Sequence, residues 1–366
     1  MRPLEGLTVV AIEQAVAAPF ATARLADAGA RVIKIERPEG DFARGYDAVA
    51  QGQSSYFVWL NRGKESRVLD LTTPEGKDAL TALLDGADVL VQNLKPGALG
   101  RLGFTPERLA RDWPRLITCS ISGYGESGPM ADHKAYDLLI QAESGLCAIT
   151  GGPDEPARVG ISLVDIATGA TAHAAILEAL IGRSVTGKGA QISVSMFDVM
   201  ADWLTVPLLN HEGGKSPRRL GMAHPSIAPY GAFTAADGEQ VLIAVQSDRE
   251  WRNLADLFLG QPELGTDPRF ATNLARVANR AETDALVARG FARMTAREAI
   301  AALLRADVAL ASVSDMARLS RHPHLRRITV DTPNGPVSYP APAAMVAGDS
   351  RAYGPVPALQ TARVPA

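Results

Sequence analysis

Leu7-Thr-Val-Val-Ala-Ile12 and Arg31-Val-Ile-Lys-Ile-Glu36 are two short apolar runs set a helix-length interval apart. Runs of this length, rich in β-branched residues, read as buried strands. Between them, residues 19–27 read as a helix, with Pro19 in its first turn and Gly29 just past its end. The alternation continues outward. Arg67-Val-Leu-Asp-Leu71 reads as a third strand, Ala87-Asp-Val-Leu-Val-Gln92 as a fourth and Arg115-Leu-Ile-Thr-Cys-Ser-Ile121 as a fifth. Thr73 caps and Pro74 opens a helix to about Leu84, and another helix falls near residues 106–113. Ala190-Gln-Ile-Ser-Val-Ser195 reads as a further strand. This spacing implies an α/β fold on a large, doubly wound parallel sheet of Rossmann-like type.

The character changes near Pro207. Residues 210–226 are rich in Gly, Pro, His and Arg and read as a connector. A hairpin follows over 230–235 and 239–246, turning at Ala236-Asp237-Gly238. Helices are expected at 248–259, 280–292 and 296–305, then an apolar run at 307–313 and a short helix from Asp315. The Pro-rich tail from Arg327 should run mostly extended and pack back on the larger body. The expected plan is a large domain over 1–209 completed by 327–366, a linker at 210–225, a small α+β domain at 226–321, and a return linker and tail over 322–366.

Of 366 residues, 46% are hydrophobic and 21% charged, enough to build a sizeable core and too apolar for disorder. A net charge of −3 gives no reason to expect nucleic acid or an anionic membrane as a partner. The two cysteines, Cys119 and Cys147, show no framework spacing and fit a reducing, cytoplasmic compartment. No signal-peptide core follows Met1, and no run approaches the roughly 18 apolar residues of a membrane span. The expectation is a soluble globular protein.

Several chemistries can be set aside. The turn after the first strand, Glu13-Gln-Ala-Val-Ala-Ala-Pro19, lacks the glycines that cradle a dinucleotide pyrophosphate. Gly182-Arg-Ser-Val-Thr-Gly187-Lys188-Gly189 imitates a phosphate loop but ends in Gly and leads from helix to strand. No nucleophile elbow or metal-ligand spacing occurs, so no metal is expected. What remains is a lone acid. In Gly160-Ile-Ser-Leu-Val-Asp165-Ile-Ala-Thr-Gly169, Asp165 sits where an irregular segment becomes a helix crowded with alanine. Taken alone, Asp165 or Ser162 reads as an N-cap. The helix dipole should lower the Asp165 pKa and keep it ionised. Arg37, Arg62, Lys64, Lys95, Arg101 and Lys134 fall near strand ends, where they would line a crevice for a phosphate-bearing ligand.

At these residues the sequence resembles the family III CoA-transferases, the group that holds formyl-CoA transferase, carnitine CoA-transferases and the alpha-methylacyl-CoA racemases. The matching stretches are Val32-Ile-Lys-Ile-Glu-Arg-Pro38, Leu69-Asp-Leu-Thr-Thr-Pro-Glu-Gly76, Gln92-Asn-Leu-Lys-Pro-Gly97, Gly123-Tyr-Gly-Glu-Ser-Gly-Pro129, Lys134-Ala-Tyr-Asp137, Leu163-Val-Asp165-Ile-Ala-Thr-Gly169 and Gly187-Lys-Gly-Ala-Gln-Ile-Ser193. They run through the first two hundred residues in family order. His224-Pro-Ser-Ile-Ala-Pro-Tyr-Gly231 looks like the family's linker into its small domain.

The resemblance implies that Asp165 is a nucleophile that moves CoA from an acyl-CoA to a carboxylic acid through aspartyl anhydride and thioester intermediates. Coenzyme A is then a substrate, with no permanently bound cofactor. Arg37, Leu69, Asp70, Leu71, Thr72, Asn93, Leu94, Lys95, Arg101, Lys134 and Tyr136 stand at positions the family uses for CoA. The family's interlocked homodimer is implied as well. Two departures bear on substrate. Formyl-CoA transferases place a Gln where Val16 stands, with Gln14 two residues displaced, and their Gly-rich loop has no counterpart near Gly221-Met-Ala-His-Pro. Both argue against oxalate, and the His224–Gly231 stretch is closer to enzymes of C4–C5 dicarboxylates such as mesaconate, citramalate, itaconate or succinate. The racemase branch needs a His immediately before Asp137, where this chain has Tyr136. His133, three residues earlier, should point elsewhere. A non-catalytic CoA-binding protein is the remaining alternative.

Overall fold

Six parallel strands form the larger sheet of the computed structural model, which describes residues 2–348 and 351–360. They are β1 (Thr8–Ile12), β2 (Arg31–Glu36), β3 (Lys64–Val68), β4 (Val89–Gln92), β5 (Ile117–Ser122) and β6 (Gln191–Ser195), in the order β3-β2-β1-β4-β5-β6. The order reverses between β1 and β4, and in sheets of this kind ligands bind beyond the carboxyl ends of the strands at such a reversal. Helices cover both faces: α1 (Ala17–Asp27), α2 (Ser55–Asn61), α3 (Pro74–Leu84), α4 (Ala98–Arg101), α5 (Pro106–Asp112), α6 (Asp137–Glu143), α7 (Leu146–Ile149) and α8 (Leu163–Thr186). The two-residue period of β1 divides its side chains between them. Val9 and Ala11 pack with α1 and α8, while Val10 and Ile12 pack with Leu80 and Leu84 of α3 and Leu109 of α5. Each such fully buried Leu contributes roughly 1.5–3 kcal/mol.

The third strand lies at Lys64–Val68, not at residues 67–71. Its buried side chains are Lys64 and Ser66, which face Glu13 and Glu36, so no apolar pattern marks it. The 24-residue α8 ends on Gly187, whose φ of 71° is left-handed, and β6 begins four residues on. The phosphate-loop imitation is therefore a helix-to-strand turn, as expected. By length and composition α8 could cross a bilayer, and among the described residues it is the one helix that could. It packs along α1 and the sheet.

The described chain divides into two compact units. Residues 2–147, 158–212, 326–348 and 351–360 form the first, and 148–157 with 213–325 form the second. In the first, α9 (Met196–Trp203) and α10 (Thr205–Glu212) follow β6, so the expected connector begins as helix. The described part of the tail runs extended and packs back on this unit, as expected, with Val330 and Val356 against Phe57 and Val58. β10 (Arg327–Val330) and β11 (Val337–Pro340) pair antiparallel, and the Gly63 N–H donates to the Pro355 carbonyl at 2.8 Å.

The second unit holds residues 148–157, which the sequence placed in the large domain. Arg219 donates to the carbonyls of Ala148, Gly152 and Pro153. Its antiparallel sheet runs β7 (Tyr230–Thr234), β8 (Gln240–Ala244), β9 (Ala309–Ser312), with the hairpin where expected. Helices α11 (Asp248–Asn253), α12 (Asn273–Ala278), α13 (Arg280–Phe291), α14 (Ala296–Arg305) and α15 (Met316–Ser320) complete it around Trp251, Phe258 and Phe291. The His224–Gly231 stretch lies here, where Arg280 donates to the carbonyls of His224 and Ile227 and His224 stacks on Tyr230.

Candidate active site

The turn after β1 spans the point where strand order reverses. Asn93, just beyond β4, accepts the Gln14 N–H at 3.0 Å and donates to the Gln14 carbonyl at 2.9 Å. Ala15 holds φ of 63°, a left-handed conformation that costs a non-glycine residue about 1–2 kcal/mol. Asp41 holds it there by accepting its N–H at 3.2 Å. Beneath the turn lies a fully buried ion cluster. Lys64 meets Glu13 at 2.6 Å, and Lys34 meets Asp41 at 2.9 Å and Glu13 at 3.5 Å. Thr22 donates to Glu13 at 2.6 Å. Burial pushes the Lys64 pKa down to about 8, aided by the Lys34 charge and opposed by Glu13. Burial would raise Glu13, but the two lysines hold it below its ordinary value.

Asp165 stands in the first turn of α8, and its surroundings overturn two expectations. Neither it nor Ser162 caps the helix with its side chain; Asp137 does, accepting the Val164 N–H at 2.7 Å and the Asp165 N–H at 3.2 Å. The other Asp137 oxygen accepts from Gln141 at 2.7 Å. Gln141 is fully buried, and its own oxygen accepts the Val159 N–H at 2.9 Å. The helix that carries Asp165 is thus tied to the irregular segment before it. Farther along, Gly169 lets α8 close on α1: a β-carbon there would fall 2.4 Å from the Ala17 carbonyl oxygen.

The second correction concerns charge. Asp165 is not held low by the helix start. Burial, followed by the neighbouring Asp137 carboxylate, pushes its pKa up to about 7. Among the described residues no donor bonds its carboxylate. Tyr46 is likewise pushed up to about 12, by burial first and then by nearby acids that include Asp41 and Asp165, so it stays a proton donor. Tyr56 stacks edge-on against Tyr46, and its hydroxyl lies 3.4 Å from that of Ser162.

A cavity of about 490 Å³ opens at this point, bordered by Asp165, Tyr46 and Tyr56. Of the expected CoA residues it brings together Asn93, Leu94, Lys95, Lys134 and Tyr136. A neighbouring cavity of about 220 Å³ gathers Arg37, Leu69, Asp70, Leu71 and Thr72, and Leu94 and Gln14 border both. Arg101 lines neither; it is exposed in the last turn of α4. Some expected ligands already have work within the chain. Asn93 holds the β1 turn, Arg37 donates to the Gly40 carbonyl, and Asp70 accepts from the Thr72 N–H and hydroxyl. Arg62 and Lys64 do not line a crevice at all. They are buried against Asp27 and Glu13. His133, expected to point elsewhere, lines the larger cavity. Tyr46, Tyr56, Gln141 and Arg158 were missed, because nothing in their local spacing marks them. Asp137 was visible within a motif but not as a cap.

The site can be set beside known proteins. The sequence model of CoA-transferase family III matches residues 4–360. The chain belongs to CoA-transferase family III. It is 39% identical over 350 residues to the acetyl-CoA:oxalate CoA-transferase of Acetobacter aceti, covering 94% of this chain and 90% of that one. It is 36% identical to the succinate–glutarate CoA-transferase of Agrobacterium fabrum, covering 92% and 87%. A CAIB/BAIF family protein from Brucella suis has a similar structure, with a TM-score of 0.80 at 38% identity, covering 95% and 93%. This family III enzyme is a transferase with CoA as its cosubstrate.

Proposed function

We propose that the enzyme moves CoA from an acyl-CoA to a short dicarboxylic acid through covalent intermediates on Asp165, with the first unit as the CoA-binding domain. The observation that carries this is a half-buried carboxylate, unbonded to any donor among the described residues, beside a cavity at the strand-order reversal. Burial that strips water from the carboxylate also raises its basicity, which favours attack once it is ionised. An Asp165 oxygen attacks the thioester carbonyl, and the C–S bond breaks to give a mixed anhydride and CoA thiolate. The thiolate attacks the aspartyl carbonyl, releasing the donor acid and leaving an aspartyl-CoA thioester. The acceptor carboxylate attacks that thioester, and thiolate return to the acceptor's acyl carbon regenerates Asp165. The first N–H groups of α1 lack intrahelical partners and border the cavity at Ala17, where they can stabilise an oxyanion.

Two relatives act on dicarboxylates by name, on oxalate in one case and on succinate and glutarate in the other. That supports the C4–C5 class and brings oxalate back among the acids to test. A second reading, alpha-proton exchange as in the racemase branch, keeps one support: His133 shares the cavity with Asp165. Against it, Tyr136 occupies the motif position where that branch needs His, and phenols are poor bases at neutral pH. Succinyl-CoA offered with oxalate, glutarate, mesaconate or itaconate, read by mass spectrometry, should yield the acceptor's CoA thioester. In deuterium oxide, 2-methylacyl-CoA should take up no label at its alpha carbon. Label uptake at turnover rate without any CoA transfer would replace the transferase reading.

We also propose an interlocked homodimer in the cytoplasm. Ile181 and Val185 of α8, Trp203 of α9 and Leu208 and Leu209 of α10 leave large apolar side chains exposed, as an unmet partner surface would. Analytical ultracentrifugation should show a dimer that persists on dilution. A reversible monomer–dimer equilibrium without loss of structure contradicts interlocking. The cytoplasmic placement rests on the unpaired Cys119 and Cys147. Recovery of the protein in an exported fraction would overturn it.

A further inference from the structure

Arg158 is an exposed guanidinium that lines the same cavity as Asp165. Its Nε donates to the carbonyl of Val159 at 3.0 Å, and its two terminal nitrogens have no protein partner among the described residues. The following residue is fixed with unusual care for a chain segment without regular structure. Its N–H is gripped by buried Gln141, which donates in turn to Asp137, and Asp137 caps the helix that carries Asp165. One rigid hydrogen-bonded frame therefore carries both the nucleophile and the free fork of an arginine.

The charges in this region give that fork a purpose. Asp137 and Asp165 put two carboxyl groups at one end of the cavity, so a substrate bearing a second carboxylate meets repulsion unless a cation receives it. Lys95 and Lys134 also line the cavity, but both are point charges outside the Gln141 frame, and Lys95 lies 3.6 Å from the Asp132 carboxylate. Guanidinium and carboxylate match as two parallel hydrogen bonds, which fixes orientation as well as charge. Resting on the function proposed above, we infer that Arg158 is the specificity-determining residue that binds the remote carboxylate of a dicarboxylate substrate while the near one meets Asp165.

The test compares acids of equal chain length that differ only in the far carboxylate: succinate against butyrate, and glutarate against valerate, each with acetyl-CoA as donor. The wild type should prefer the diacid. In R158Q the ratio of kcat/KM for diacid over monoacid should fall by about 10- to 100-fold, carried mainly by KM for the diacid. R158K, which keeps the charge and loses the fork, should recover part of the ratio. An unchanged ratio in R158Q, equal losses on both acids, or a wild type without preference for the diacid would overturn the inference alone. If the wild type passes CoA to none of the four acids, the proposed function falls with it.

Discussion

Replacing Asp165 with alanine is expected to reduce CoA transfer by about 10⁴-fold or more, since it removes the group proposed to carry the acyl intermediate. The same change should leave the fold intact and, at alkaline pH, make it more stable. The sign follows from the direction of the shift. Burial pushes the Asp165 pKa up to about 7 in the folded chain, whereas the unfolded chain keeps its ordinary value of 3.8. Between those values the native state holds a proton that the unfolded state has lost, so stability falls as pH rises from about 4 to 7. At pH 8 the wild type bears a half-buried charge that the variant lacks, a difference on the order of 2–4 kcal/mol before any loss of packing. Thermal melts of the two proteins at pH 5 and pH 8 should show the gap in favour of the variant widening with pH. Transfer by the wild type should instead rise with pH through about 7 as the nucleophile ionises. Asp137→Asn, which removes the neighbouring negative charge, should move that rise to lower pH. A flat profile from pH 5 to 8 would show that Asp165 is already ionised and that burial has been overcome.

Glu13→Gln carries the second large effect, and it acts on stability. Two lysines are buried with two carboxylates beneath the β1 turn, and the substitution leaves one acid for both. Breaking a buried pair in this way costs about 3–5 kcal/mol. The loss should also reach the site, because Asp41 shares Lys34 with Glu13 and holds the left-handed Ala15 at the cavity wall. Denaturant unfolding of the variant should show a lower midpoint at constant slope. A variant as stable as the wild type would mean that the cluster contributes nothing net.

Strands β1, β2, β4, β5 and β6 were legible because apolar residues recur among their buried positions, even in β2, which also buries Lys34 and Glu36. β3 was displaced because its inward residues are Lys64 and Ser66, and a polar interior leaves no periodic mark in sequence. The same cause hid the fate of Arg62 and Lys64, which look like crevice cations until Asp27 and Glu13 are seen against them. Asp165 was found by the irregular-to-helical transition and by the motif around it. Its protonation was misread because the local signal, a helix start, competes with burial and with Asp137, and neither can be weighed without the fold. Gln141 shows the limit most plainly. Nothing about a glutamine in an apolar helix reveals that it ties Val159 to Asp137 and so joins Arg158 to Asp165.

The claim on which the rest depends is that an acyl or CoA group is carried on Asp165. Incubating the enzyme with an acyl-CoA and hydroxylamine, then digesting it for peptide mass spectrometry, tests this directly. The peptide containing Asp165 should gain the mass of a hydroxamate, with the label on that residue and only when the acyl-CoA is present. Full CoA transfer with Asp165 unlabelled, or with the hydroxamate on another acid, would contradict it.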